Sequence, residues 1–467
     1  MIIDRYDPMN LFELVPKLQL GMEPELAELD RLLEDDALFR RVKADLCRRY
    51  PRSATRGRHS TPVEVVLRML VVRRLYDWSY AETERFVSDS LVLRQFCRLY
   101  LEPAPDDTTL LRWAALIGPE TVERLNEGAV ALARQLKVTR GRRLRSDSTV
   151  VETNIAYPRD SALLADGVRV LGRALGRARA LLGGLGRAAG VAPREFRDRS
   201  RSAKRLAHRI AETARRRGAA AAEERREAYR RLVGAAGATL RQVGRVRERL
   251  AEAGDAASAR LLGAIDHFAP LVRRVAEQAE RRVLRGEAVP AAEKLLSLFE
   301  PHSYVIRRGK PHKPAEFGRK VWLDEVDGGI VSRYAVLAGN PPDSGQVEGC
   351  LLAHERLFGR PPDLFAGDRG LHAPGNEAFA ERRGVRRVAL PQPGAKDAGR
   401  RRHERQRWYR RALRFRAGAE GRISALKRRG YLGRCRDKGE AGFGRWVGWG
   451  ILTHNLATIA RARAARA

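Results

Sequence analysis

Between Thr61 and Ser90 the chain reads TPVEVVLRMLVVRRLYDWSYAETERFVSDS, with apolar side chains recurring three and four positions apart. That spacing puts them on one stripe of an α-helix, which then has a core to cover. The same texture, with few strand-forming runs, extends over the first 140 residues and predicts a helical domain over 1–140. Ser60 and Thr61 ahead of Pro62 read as a helix start, with Glu64 in the first turn. In PAPDDTTLLRWAALIG, Asp107 or Thr108 is the expected N-cap, and Leu110, Leu111 and Ala114 the apolar face. Two short helices joined by a polar turn would make a helix-turn-helix, with Thr109 and Arg112 near DNA. An ordinary bundle with one capped helix fits the same residues equally well.

The pattern changes at 142–154, RRLRSDSTVVETN, where Thr149, Val150, Val151 and Thr153 favour a strand. From about 160 to 300, Ala, Arg, Leu and Glu dominate, as in RSAKRLAHRIAETARRRGAAAAEERREAYRRLVGAAG. Strong helix formers with mixed charges predict a large helical insertion, its charges being solvated faces. Gly183, Gly184 and Gly234 are expected to interrupt those helices. Beyond Tyr304, YVIRR and KVWLDEVDGGIVSRYAVLAG read as two or three strands with turns at Gly309 and at Gly328–Gly329. QVEGCLLAHERLFG then reads as a helix, DLFAGD as a short buried strand, NEAFAERRG as a helix and VRRVALP as a strand, and from about Glu404 the tail is mostly helical. With the insertion set aside, residues 141–467 follow the element order of an RNase-H-like α/β domain, a mixed sheet flanked by helices.

Composition narrows the function classes. A chain of 467 residues with 43% hydrophobic content is long enough for roughly two to four domains with buried cores. No run approaches the roughly 18 apolar residues of a membrane span, and MIIDRYDPMN lacks the basic and apolar regions of a secretory leader. Cys47, Cys97, Cys350 and Cys435 are far apart with no CxxC pair, which argues against a disulfide scaffold or structural zinc and for a reducing cytosol. The net charge is +34, and only 11 of the 91 basic residues are lysine. Arginine's planar fork suits phosphate, and so basic a chain is attracted to polyanions such as nucleic acid. The accompanying Ala and Gly richness also fits the codon usage of a GC-rich genome.

Phosphodiester chemistry commonly uses two divalent ions held by carboxylates, and magnesium suits it as a hard cation that keeps positions open for phosphate. Three acids sit where such a site needs them: Asp147 on the first strand, Asp368 ending DLFAGD, and Glu420 on a late helix in RFRAGAEGRISALKRR. Arg416 lies four residues before Glu420 and Lys427 seven after, so the three share one helix face. That stripe suits an acid on the ion with bases on the DNA, and it suits a surface helix with i,i+4 charge pairs as well. Glu152 at a strand end is a candidate for a supporting role, whereas Asp324, Glu325 and Asp327 read as decoration of a hairpin. His372 and His454 read as structural, and Trp446 and Trp449 as core. GDRG and DGG are turn glycines, with no phosphate-binding loop.

Arg416, Glu420 and Lys427, spaced R-x3-E-x6-K, resemble the Y-x2-R-x3-E-x6-K signature of bacterial insertion-sequence DDE transposases. SDSTVVETN around Asp147 resembles that family's first aspartate segment, and AGDRGLHAPGNE around Asp368 its second. FGRKVWLDEVDGG, the C-terminal GRCRDKGEAGFGRWVGWGILTHNLATIA and the N-terminal RHSTPVEVVLRMLVVRRLYDWSYAETERFVSDS are also similar to the family, so the likeness spans most of the chain apart from the 160–300 stretch. The resemblance implies a catalytic triad of Asp147, Asp368 and Glu420 that binds Mg2+ or Mn2+, with Arg416 and Lys427 on DNA phosphates. It further implies double-stranded DNA as partner, at least a homodimer in the active complex, and a cytoplasmic, nucleoid-associated protein. The chain departs from the signature at Leu413, where the tyrosine would fall; Tyr409, one turn earlier on the same face, is the nearest substitute.

Overall fold

The computed structural model of the chain describes residues 5, 21–48, 52, 60–185, 197–307 and 314–466. Among them the protein is mixed α/β and mostly helical, with sixteen α-helices and six strands. It divides into two compact units, one formed by 1–152 with 319–467 and the other by 153–318.

The first unit opens with seven helices: α1 (Pro24–Leu32), α2 (Asp36–Cys47), α3 (Val63–Leu75), α4 (Tyr80–Asp89), α5 (Leu91–Phe96), α6 (Asp107–Leu116) and α7 (Pro119–Gln135). Helix α3 begins directly after Pro62 with Glu64 in its first turn, and no side chain caps it. A capping box of Ser79 and Glu82 starts α4, each side chain answering the other's backbone N–H. The N-cap of α6 is Asp106, one residue before the expected Asp107, and Leu111 is 49% exposed instead of joining Leu110 and Ala114 in the core. Residues 97–106 separate α5 from α6, a longer connection than the three- or four-residue turn of a helix-turn-helix.

These helices share one hydrophobic core with the sheet: Leu29, Val66, Leu70 and Val130 belong to the cluster that contains Leu144, Trp322, Phe365 and Trp449. The sheet of this unit runs in the order β4 (Ile330–Val336), β3 (Glu316–Val326), β1 (Arg143–Glu152), β5 (Leu364–Ala366), β6 (Arg387–Ala389). Strand β4 is antiparallel to β3, while β1, β5 and β6 run parallel. The β3–β4 turn needs glycine at 328, where φ is +83° and a Cβ would stand 2.2 Å from the Val138 carbonyl oxygen. Helices α12 (Val347–Phe358), α13 (Pro374–Arg382), α14 (Ala398–Arg405), α15 (Arg407–Arg428) and α16 (Gly439–Ala464) complete the unit.

Helix α16 is apolar around nearly its whole circumference and is correspondingly buried, with Trp446 and Trp449 in the core as the sequence suggests. Its Asn455 brackets Val331 of β4, accepting from the backbone N–H at 2.9 Å and donating to the carbonyl at 2.8 Å. Gly450 lets Arg74 cross the helix: a Cβ there would lie 2.0 Å from the Tyr431 carbonyl oxygen and 2.8 Å from Arg74 Nη2. The fully buried Arg74 stacks on Trp446 and donates to the Tyr431 carbonyl, and desolvation lowers its pKa to about 10.

The second unit is built from α8 (Asp160–Leu185), α9 (Ser200–Thr213), α10 (Ala219–Ala253) and α11 (Ala256–Ala279), around a core that includes Leu171, Leu232, Val246, Ile265 and Val272. Gly234 lies inside the 35-residue α10, so the interruption expected there does not occur, while Gly183 and Gly184 fall within the last three described residues of α8. Tertiary packing outweighs the modest cost of glycine in a helix. Strand β2 (Tyr304–Ile306) pairs antiparallel with the first residues of β3, Ile306 opposite Glu316. The expected turn at Gly309 lies outside the described residues.

Candidate active site

Strand β1 is the spine of the site. Successive side chains alternate between its faces, and the polar ones are sorted accordingly. On one side Ser146 Oγ donates to Asp324 at 2.6 Å, and Ser148 Oγ to Asp343 at 3.0 Å. On the other, Arg145 and Asp147 face α15. Arg145 makes a two-pronged pair with Glu325, at 2.9 Å and 2.7 Å, and donates to the Phe415 carbonyl of α15. Arg422 of α15 joins the same carboxylate at 3.0 Å. The helix comes this close because residue 418 is glycine; a Cβ there would stand 2.3 Å from Arg145 Nη1.

This clamp aligns Arg416 with the three acids read from the sequence. Its Nη2 is 3.1 Å from Asp147 Oδ2 and 3.7 Å from Asp368 Oδ2, and its Nη1 is 2.8 Å from Glu420 Oε1. A strand, a loop and a helix therefore bring Asp147, Asp368 and Glu420 to one guanidinium. Both aspartates are held by backbone as well. Asp147 Oδ1 accepts the Ser148 N–H at 2.8 Å, and Asp368, the N-cap of a short 3-10 turn, accepts the Gly370 N–H through Oδ1 at 2.8 Å. In each case Oδ1 is occupied and Oδ2 points to the shared centre. Exposure is graded: the side chains of Asp147, Asp368 and Glu420 are 9%, 34% and 69% exposed. The site is thus rigid and dry at the strand and open at the helix.

Hard carboxylate oxygens on convergent elements have the donor chemistry of a magnesium or manganese site. As the side chains stand, no group of three or more His, Cys, Asp or Glu among the described residues is disposed to hold an ion. The Arg416 guanidinium occupies the common centre, where its single positive charge offsets part of the charge of the three acids.

The remaining candidates divide. Lys427 is half-buried two turns along α15 from Glu420. Thr109 donates its hydroxyl to Asp106 at 2.7 Å, and Arg112 is exposed on α6; neither touches the carboxylate cluster in a described contact. Tyr409 cannot stand in for the signature tyrosine at a DNA surface, because it is fully buried with Ala366, Ala389 and Ala412, and burial pushes its phenol pKa up. Leu413 packs at the margin of that cluster.

The hairpin acids are not decoration. Asp324 and Glu325 are buried at 1% and 4% exposure. Asp324 accepts from Trp322 Nε1 at 2.7 Å, and from Ser146 and Arg333. Asp327 accepts the backbone N–H groups of Arg140, Arg142 and Arg143 at 2.8–3.0 Å, fixing the entry to β1. The signal available beforehand was the position of Asp324 and Glu325 inside a strand, where buried acids need partners. His454 is structural as expected: it is buried, it contacts the Gly329 carbonyl, and desolvation lowers its pKa to about 3.

No helix among the described residues is long and apolar enough to cross a membrane. Neither the curated proteins nor the solved structures yield a match. A family model described as a transposase domain (DUF772) matches residues 11–116, which supports a transposase family for the chain through its N-terminal part.

Proposed function

We propose that this chain is a DNA transposase of the DDE type, binding the ends of its element and cutting and joining DNA strands in a metal-dependent reaction. The observation that carries this reading is the convergence of Asp147, Asp368 and Glu420 on Arg416. The sheet supports an RNase-H-like interpretation, with the β3–β4 hairpin on one side of β1 and parallel β5 and β6 on the other.

In this account water attacks a phosphate first and frees a 3′-hydroxyl, which then attacks target DNA. Magnesium, or manganese in its stead, supplies Lewis acidity at the phosphate when bound. The protein's part is orientation and charge. Asp147 and Asp368 keep one oxygen on a backbone amide and turn the other toward Arg416, so both carboxylates are oriented beforehand toward the place that a cation would take when Arg416 withdraws. Glu420, on the exposed helix face, closes the set. Arg416 balances the acids while no other cation is there, then moves to a phosphate oxygen as its forked geometry allows. Lys427 holds the backbone two turns further on. Of the two α6 residues, Arg112 has the freer side chain for a phosphate, since the Thr109 hydroxyl is engaged by Asp106. By analogy with the transposases that it resembles, the active complex would hold at least two copies of the chain, acting on DNA at the nucleoid.

The test uses a plasmid carrying the coding sequence with its flanking DNA, in magnesium. Asp147→Ala should lose cutting and joining while still binding duplex DNA, because it removes an acid and no basic contact. Loss of binding with retained cutting overturns the assignment. Joined products separate a transposase from a nuclease that only cuts.

A further inference from the structure

A second charged feature of the first unit lies at the start of the parallel strands, away from the acids. It is a cleft of about 620 Å³ into which Arg143 of β1, Arg387 of β6 and Arg411 of α15 project, together with Arg142. Gathering like charges in this way costs energy unless anions offset them, and the lining sets only two carboxylates, Asp327 and Asp363, against five arginines, Arg142, Arg143, Arg386, Arg387 and Arg411. Asp327 is taken by the backbone amides of Arg140, Arg142 and Arg143, and Asp363 by Arg386 at 2.7 Å. Among the described residues, no ion pair is made by Arg142, Arg143, Arg387 or Arg411. Two of them rest on aromatic rings instead: Arg143 is 4.8 Å from the centroid of Phe415, and Arg387 is 5.7 Å from that of Trp408. Stacking holds a guanidinium in place without using its N–H donors, so these side chains stay oriented with hydrogen-bonding capacity to spare.

The cleft is tied to the acid cluster by two continuous elements. Phe415 lines it, and the next residue of α15 is Arg416. Along β1, Arg143 precedes Asp147 by four residues, which at about 3.3 Å per residue is roughly 13 Å. Successive phosphates on one strand of B-DNA rise about 3.4 Å along the axis and also turn about it, so a separation of that size spans only a few nucleotides of one strand.

We infer that this cleft is a second DNA grip, holding the sugar-phosphate backbone of the same duplex whose reacting phosphate lies at Asp147, a few nucleotides away. The inference rests on the DNA reading above and adds residues that the DDE motifs do not contain. Base edges are not read here: the donors are arginine forks over aromatic rings, which suit phosphate of any sequence.

The test is binding of a fluorescein-labelled duplex of arbitrary sequence by the full chain, followed by anisotropy over a series of KCl concentrations in EDTA. Each phosphate contact contributes a slope of about 0.9 in log K against log salt. The triple variant Arg143→Ala, Arg387→Ala, Arg411→Ala should therefore lose roughly 2 to 3 of slope. A charge-matched control at exposed arginines of the second unit, Arg231→Ala, Arg260→Ala, Arg273→Ala, should keep it. An unchanged slope in the cleft variant, or an equal loss in the control, overturns the inference and leaves the DNA reading intact. A wild-type protein that does not bind duplex overturns the DNA reading itself. If the triple variant does not fold, Arg411→Ala alone, on an exposed helix position, should lose about 0.9, and no loss there counts against the cleft.

Discussion

At single residues, the site is held by which charges are partnered and by what. Glu325 is nearly buried and answers both Arg145 and Arg422. Removing one member of a buried ion pair leaves the other's desolvation uncompensated, at a cost of about 3–5 kcal/mol. Glu325→Ala should therefore lower stability by that order in a urea melt, and a change below about 1 kcal/mol would show that the clamp is not structural. Arg416 is a different case, because it balances acids that a cation can also balance. In Arg416→Ala the metal-free protein should melt lower, and added Mg2+ should raise its Tm more than it raises that of the wild type. Equal responses would mean that Arg416 does not stand where an ion binds. The convergence of Asp147, Asp368 and Glu420 on one place is legible in the sequence because three spaced motifs carry them. The roles of Arg145 and Glu325 are not, since strand alternation shows which face a side chain takes and not which partner crosses from another element.

Among the elements, α12 and α16 each bury a histidine. Desolvation lowers the pKa of His354 to about 4 and that of His454 to about 3. The unfolded chain binds these protons near pH 6.5, while the folded chain does so only far lower. Their contribution is thus complete above about pH 6.5 and is lost as pH falls toward 4, at up to about 1.4 kcal/mol per pH unit for each. Urea melts over that window should show the loss, and His454→Gln should flatten it; an unchanged slope would contradict the burial argument. Helix α16 offers a steric test as well. Gly450→Ala drives a methyl against the Tyr431 carbonyl and Arg74, and overpacking of this kind costs about 1–3 kcal/mol, readable as a fall in Tm. The apolar text of α16 and the DGG turn of β3–β4 could be read beforehand because composition and turn chemistry are local. Long α10 runs through the glycine expected to break it, because packing along 35 residues overrides a local breaker.

For the whole molecule, the two units have separate hydrophobic cores, one around Trp322 and Trp449 and the other around Leu232 and Val272. Residues 153–318, made alone, should keep helical circular dichroism and unfold cooperatively; a disordered fragment would refute an independent core. The mixed α/β class was legible from element order, whereas the shared core of the N-terminal helices and the sheet was not, since long-range packing leaves no local period. The central claim is that Asp147, Asp368 and Glu420 form a metal centre for DNA chemistry. Its most direct test is Mn2+ binding, followed by the loss of the free-ion paramagnetic resonance signal, in the wild type and in Asp147→Ala and Asp368→Ala. The wild type should take up Mn2+, and each variant should lose that uptake while staying folded. Variants that bind Mn2+ as the wild type does would contradict it.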